Sequence, residues 1–136
     1  ELTAGDALAA QTGFEAGSRL AHILRARTAD GRAISTDESY YLASEVPGLT
    51  PEIVKKSVYE YLEGVLGIKI ATAKRTITVE RATDHDRDML DLGDADYVAV
   101  MTSQTFDGQG IMFEYTESRQ RPGFFSYNET AVRPVH

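Results

Sequence analysis

Cysteine is absent from this 136-residue chain. That excludes disulfides, zinc–thiolate sites and cysteine nucleophiles, and it fits a reducing interior. Long apolar runs are missing too, so no stretch is long enough for a transmembrane helix and none at the start has a signal-peptide pattern. Positive charge is scarce: 14 Lys and Arg stand against 21 Asp and Glu, a formal net charge of −7. A chain this acidic is a poor candidate for holding nucleic acid alone, because phosphate binding needs a basic face. There is no glycine-rich phosphate loop, no GxSxG elbow and no HExxH pair. The histidines His22, His85 and His136 share no metal-ligand spacing, and His85 reads as part of a helix N-terminus. No cofactor is expected. The first residue is Glu1 rather than Met, so the chain reads as a piece of a longer protein.

What is present is a repeated hairpin. Val98–Arg121 is two β-prone runs folded about Asp107-Gly108, residues that tolerate positive φ. Ile23–Tyr40 repeats the pattern about Asp30-Gly31, and moving from 30 to 107 is a shift of 77. The same shift aligns Ile34 with Ile111, Asp37 with Glu114 and Ser39 with Thr116. Two related hairpins in one chain predict a pseudo-symmetric sheet with a site where the copies meet.

Along the chain, Thr3 or Asp6 is expected to cap a short helix over Ala7–Gln11 that ends near Gly13. Strands are expected over Ser18–Thr28 and Arg32–Leu42. Thr50 as N-cap and Pro51 at the first helical position open a helix over Pro51–Leu66, whose apolar positions Ile53, Val54, Val58, Tyr61, Leu62 and Val65 recur at helical spacing. Ser57 can cap a fresh turn there, with Glu60 as its box partner. Gly67 ends the helix, and Ile68–Arg81 reads as a third strand. Thr83 or Asp84 caps a helix through Leu92. After the second hairpin, Phe124–Val132 is expected as a sixth strand, and Arg133–His136 as a frayed end. The expected fold is α+β, a single domain over residues 1–136 with an antiparallel sheet and flanking helices.

Few residues carry chemistry. Arg25 and Arg27 lie two apart on a strand and so share a face; such a pair is an anion receptor or a solvated face with acidic partners. Ser57 offers a hydroxyl and free N–H groups at a helix start, for an anion or simply for capping. Tyr59 fits core or pocket wall. Asp37 and Glu114 are equivalent carboxylates, open to acid/base work, sugar hydroxyls, arginines or water. Glu117 and Arg119 are expected to make an exposed or edge ion pair. Nothing here specifies a catalytic machine.

Ser57-Val58-Tyr59-Glu60-Tyr61-Leu62-Glu63, followed by Gly67-Ile68-Lys69-Ile70, resembles the helix-to-strand passage of the UTRA domain, the effector-binding half of HutC-subfamily GntR transcription regulators. Leu24-Arg25-Ala26-Arg27-Thr28-Ala29-Asp30-Gly31 resembles that family's Arg-x-Arg strand, and Phe113-Glu114-Tyr115-Thr116-Glu117-Ser118-Arg119 resembles its late strand. The three agree in order and spacing from about Ala7 to Arg133. The resemblance implies a chorismate lyase-like fold with six antiparallel strands around a ligand cleft, and a winged-helix DNA-binding domain preceding Glu1. It implies a cytoplasmic homodimer that meets operator DNA through that other domain, not through this one, and no membrane partner. Such regulators bind metabolites including sugar phosphates, phosphorylated amino sugars, urocanate and fatty acids. In the sugar-phosphate sensors the positions matching Arg25, Arg27 and Ser57 hold the anion, Tyr59 matches a tyrosine near the ligand, and Asp37 and Glu114 match acidic residues on the sugar. Gln120 stands where those sensors often carry tyrosine, and the residues after it depart from the family pattern. The resemblance therefore reaches further for the anion end than for the rest of the ligand.

The leading expectation is a non-catalytic sensor of a small anionic effector, a sugar phosphate or a carboxylate. A chorismate lyase-like enzyme is the alternative, since fold does not decide function. A dimerisation module with a vestigial cleft is the third.

Overall fold

The computed structural model describes residues 1–134. In chain order its elements are β1 (Leu2–Thr3), α1 (Asp6–Thr12), β2 (Arg19–Ala29), β3 (Arg32–Leu42), α2 (Pro51–Lys56), α3 (Val58–Glu60) running into a π-helical turn over Tyr61–Val65, β4 (Ile70–Arg81), α4 (Asp84–Met89), β5 (Tyr97–Asp107) and β6 (Met112–Gln120). The strands form one antiparallel sheet in the order β1-β2-β3-β6-β5-β4. The α+β architecture is the expected one, and so is the number of strands.

One strand differs. Phe124–Val132 forms no strand, and the sixth is Leu2–Thr3 at the opposite end of the chain. The reason is topological. The segment leaves from the end of β6, whose two edges are already filled by β3 and β5. Pro122 and Gly123 (φ 93°) turn the chain off the sheet, with the Phe124 N–H donating to the Arg121 carbonyl at 3.2 Å. Phe124, Tyr127 and Val132 stay exposed. Val135 and His136, part of the end expected to fray, lie outside the described residues.

The two hairpins turn differently. Asp30 and Gly31 both take positive φ (51° and 75°), the backbone of a tight two-residue turn matched to strand twist. At the second hairpin the Asp107 carboxylate accepts from the Gln109 and Ile111 N–H groups, and the positive φ falls on Gly110. That longer loop follows a β-bulge between Thr105 and Phe106.

Helix ends follow local chemistry. Thr50 caps α2 by accepting from the Ile53 N–H, with Pro51 at its start. Ser57 ends α2 and caps α3, accepting from the Glu60 N–H at 3.2 Å. The reciprocal half of the expected box does not form there, because the Ser57 N–H is already given to the Ile53 carbonyl. The full box forms at Thr83 and Asp86 instead, and α4 ends at Met89 rather than Leu92. α1 is preceded by Gly5 with no side-chain cap, so neither Thr3 nor Asp6 serves.

The helices divide between the two faces of the sheet. On one face α1 covers Leu20, Tyr40 and Tyr115, while the segment around α4 sets Leu90 and Leu92 against Val98 and Val100. On the other, Val46, Val58 and Leu62 pack on Tyr41 and Phe113. Each fully buried Leu or Phe contributes about 2–3 kcal/mol by leaving water. Arg119 proves central rather than exposed: it grips the buried Asp86 carboxylate through Nε at 2.7 Å and Nη2 at 2.9 Å, and Glu117 is a secondary partner at 3.3 Å. Burial alone would raise the Asp86 pKa, but the hydrogen bonds from Arg119 and Thr83 outweigh it and hold the carboxyl below its ordinary value.

Candidate functional site

Strand register decides which side chains share the face under α2 and α3. Cross-strand partners point to the same side of a sheet. Arg27 pairs with Ser35 and Ser35 with Gln120; Arg25 pairs with Asp37 and Asp37 with Ser118. Ile23 pairs with Ser39 and Ser39 with Thr116; Ala21 pairs with Tyr41, Tyr41 with Glu114, and Glu114 with Thr105. These rows make a floor whose centre is polar. Five of the seven residues expected from the sequence, Arg25, Arg27, Asp37, Glu114 and Gln120, lie on it.

Asp37 anchors one end. It is 5% exposed, and its Oδ1 accepts from Ser118 at 2.7 Å and Ser35 at 3.4 Å. Its Oδ2 faces Arg27 Nε at 2.8 Å. The Gln120 amide donates to the Ser118 hydroxyl at 3.3 Å, which ties it into the same network. Arg27 is largely exposed, and its two terminal nitrogens meet no carboxylate among the described residues; Arg25 there makes no ion pair. The arrangement is therefore one buried acid holding one arginine by its inner edge, with guanidinium groups left to face outward.

Glu114 anchors the other end. At 3% exposure it accepts on Oε1 from Thr105 at 2.9 Å and from the Tyr59 hydroxyl at 3.2 Å. Burial first, and then the Glu114 charge, push the Tyr59 phenol up to about 12, so it stays a donor at neutral pH. Tyr41, packed beside the same carboxylate, is pushed up further by the same two causes. No buried side-chain polar atom among the described residues is left without a partner. Burying this many polar groups in mid-sheet is costly unless each is bonded, which they are.

Tyr59 joins the site through Glu114. Ser57 stands two residues earlier, its hydroxyl committed to the Glu60 N–H, and no hydrogen bond links it to the other six. Sequence reasoning missed Ser35, Ser39, Tyr41, Thr105 and Ser118. Their signal was alternation: once Asp37 and Glu114 are placed on a face, every second residue of those strands follows. Thr105 needed the β5–β6 pairing as well. Among the described residues no group of His, Asp and Glu side chains is arranged to hold a metal, and no helix is long and apolar enough to cross a membrane.

This sheet, with its helices and polar floor, is the fold of the effector-binding domains of GntR transcription regulators. It superposes on the effector-binding domain of the Bacillus subtilis trehalose repressor TreR with a TM-score of 0.90 and 34% identity, covering 98% of this chain and 93% of that one. A GntR-family regulator from Bacillus cereus matches the fold with a TM-score of 0.85 at 20% identity, covering 96% of this chain and 92% of that one. The UTRA domain model matches residues 1–125, and the chain belongs to that family. By sequence it is 40% identical over 111 residues to the HTH-type transcriptional regulator TreR of B. subtilis, covering 82% of this chain and 47% of that protein. GmuR of the same organism is 26% identical over 112 residues, covering 82% of this chain and 47% of that protein. The chain thus spans about half the length of the curated relatives it matches.

Proposed function

We propose that this domain senses a phosphorylated sugar of the trehalose class and carries no catalysis of its own. The observation that carries the reading is the pairing of outward guanidinium groups at Arg25 and Arg27 with the buried carboxylates of Asp37 and Glu114 on one polar floor. Arginine forks suit a phosphate, and acceptor carboxylates suit sugar hydroxyls. The likeness to a protein called the trehalose repressor supports the sugar class. Tyr59 closes the Glu114 end and Gln120 joins through Ser118, while Ser57, at the start of α3, is assigned to the anion on the strength of the family resemblance.

In the whole protein, a HutC-type GntR regulator, the effector acts by preferring one arrangement of this domain relative to a winged-helix DNA-binding domain on the operator. A ligand with equal affinity for both arrangements would change nothing at the DNA. The protein works in the cytoplasm as a homodimer, matching two-fold operators. The exposed side chains Ile77 and Val79 on the edge strand β4 are the surface we assign to that contact.

The test is a thermal shift with trehalose 6-phosphate, trehalose and glucose 6-phosphate, run on the native sequence and on the Arg25→Ala/Arg27→Ala variant. Ligand at about 100 times its dissociation constant adds about 2.7 kcal/mol. A shift with a sugar phosphate that is lost in the variant, with the compound recovered unchanged by mass spectrometry, supports the sensor. A consumed compound would overturn it in favour of an enzyme.

A further inference from the structure

β1 is two residues long, and β2 is eleven. The register pairs Leu2 with Leu20 and Thr3 with Arg19, so most of the outer edge of β2 has no partner strand among the described residues. The backbone direction along that edge follows from two bonds. The Arg19 carbonyl accepts from Ala43 on the β3 side, and the Ser18 carbonyl accepts from Ala4 on the β1 side. Alternation then turns the N–H and C=O groups of His22, Leu24 and Ala26 outward. An edge of unpaired backbone beside apolar side chains is a template for another strand.

The apolar side chains are there. A cavity of about 580 Å³ lies against this edge, lined by Glu1, Ala21, Ile23, Val46, Leu49 and Val54. Glu1 sits at its mouth, held by an ion pair from Arg19 Nη2 at 2.8 Å. The chain therefore enters β1 from the direction of the empty edge, travelling antiparallel to β2 and in register with it.

We infer that in the full-length protein the residues immediately preceding Glu1 continue β1 along the free edge of β2 and fill this cavity. The relatives are about twice the length of this chain, which leaves ample polypeptide for such a segment. The existing register assigns its contacts. Glu1 stands opposite Ala21, the second residue before Glu1 faces Ile23, and the fourth faces Arg25. The second places its side chain between Ile23 and the Val46, Leu49 and Val54 wall, so it is apolar. The fourth lies beside Arg25, on the strand that carries both arginines of the effector site. Resting on the sensor reading above, this makes β2 the shared element: a ligand that draws Arg25 and Arg27 inward moves the strand onto which the connection to the DNA-binding domain is zipped.

Amide hydrogen exchange on the full-length protein, with no sugar present, tests the pairing. The His22, Leu24 and Ala26 amides should exchange at least about tenfold slower than in the 136-residue domain. A cysteine pair, Ile23→Cys with cysteine at the second residue before Glu1, should oxidise to a disulfide in the folded full-length protein, since facing antiparallel positions have the required Cα separation. Equal exchange in both forms together with no disulfide overturns the inference. The two readings separate cleanly. Protection without any sugar-phosphate response leaves the strand standing and removes the effector class, whereas a sugar-phosphate response without protection does the reverse.

Discussion

Ser39 and Thr116 face each other across β3 and β6 with their hydroxyls 3.0 Å apart, and they are separated by 77 positions in the chain. That is the offset between the Asp-Gly turns of the two hairpins. Ser39 and Thr116 thus mark the pseudo-two-fold axis of the sheet. Exchanging β1 with β4, β2 with β5 and β3 with β6 leaves the strand order unchanged. The same operation relates α1 to α4, each lying between the first and second strands of its half. Asp37 and Glu114 are mates under it, one on either side of the axis and on the same face, each paired across β3–β6 with a hydroxyl-bearing residue (Ser118 and Tyr41). Each half then specialises. The first sets Arg25 opposite Asp37, where the second sets Thr105 opposite Glu114; Gln104, which the 77-residue shift aligns with Arg27, lies opposite Tyr115 on the other face and donates to the Thr12 carbonyl at 2.8 Å.

The axis pair should show strong coupling in urea denaturation. Thr116→Val alone leaves the Ser39 hydroxyl unpartnered and should cost about 1–2 kcal/mol. Combining it with Ser39→Ala should cost clearly less than the sum of the single changes, because no buried polar group is then stranded. Strict additivity would mean the hydroxyls do not bond to each other.

At the anion end, stability and binding should separate. Arg27 is 69% exposed at its side chain, so Arg27→Ala should change stability by no more than about 1 kcal/mol. The same change should weaken trehalose 6-phosphate binding by about tenfold or more, the loss of one charge-assisted contact. Asp37→Ala should behave oppositely in stability, costing about 1–3 kcal/mol by stranding Ser118 and Ser35. Calorimetric titration and chemical denaturation of both variants check this.

At the sugar end, Glu114→Gln keeps the shape but replaces one acceptor oxygen with a donor that meets the Thr105 and Tyr59 hydroxyls. We expect a folded domain with weakened sugar-phosphate affinity and unchanged affinity for inorganic phosphate. Equal losses for both ligands would place Glu114 outside the sugar contact.

Acid should act on the Asp86–Arg119 clasp. The folded pKa of Asp86 is lowered, so its contribution is complete above its ordinary value of about 3.9 and is lost as pH falls through the lower folded value. Asp86→Asn should cost about 3 kcal/mol near neutrality, roughly a 10 °C fall in Tm, and should flatten the loss of stability as pH falls below the ordinary carboxylate value. Melting curves across that range decide it.

The edge strand β4 presents Ile77 and Val79 at 40% and 74% exposure. If they make the homodimer contact, Ile77→Lys/Val79→Glu should elute and sediment as a folded monomer while the native sequence is dimeric. A dimer that survives the change would move the interface elsewhere.

Much of this was legible from residue order alone. The Asp-Gly turns, the Thr50-Pro51 start, the Ser57 cap and the Arg25/Arg27 face are local events. They are governed by φ preferences, capping oxygens and a two-residue strand period, which act within a few positions and so leave their mark in the sequence. The 77-residue shift carried the pseudo-symmetry and paired Asp37 with Glu114 before any contact was seen. Tertiary structure decided the remainder. Phe124–Val132 has the composition of a strand, yet both edges of β6 were taken and Leu2–Thr3 filled the sixth place. Glu117 and Arg119 look like a surface pair, but the partner that matters, Asp86, comes from a helix 33 residues earlier. Thr105 became part of the floor only when β5 came into register with β6, and Ser118 met Asp37 only when β6 paired with β3. Edge availability and long-range pairing depend on what the rest of the chain has already occupied, and no local preference encodes that.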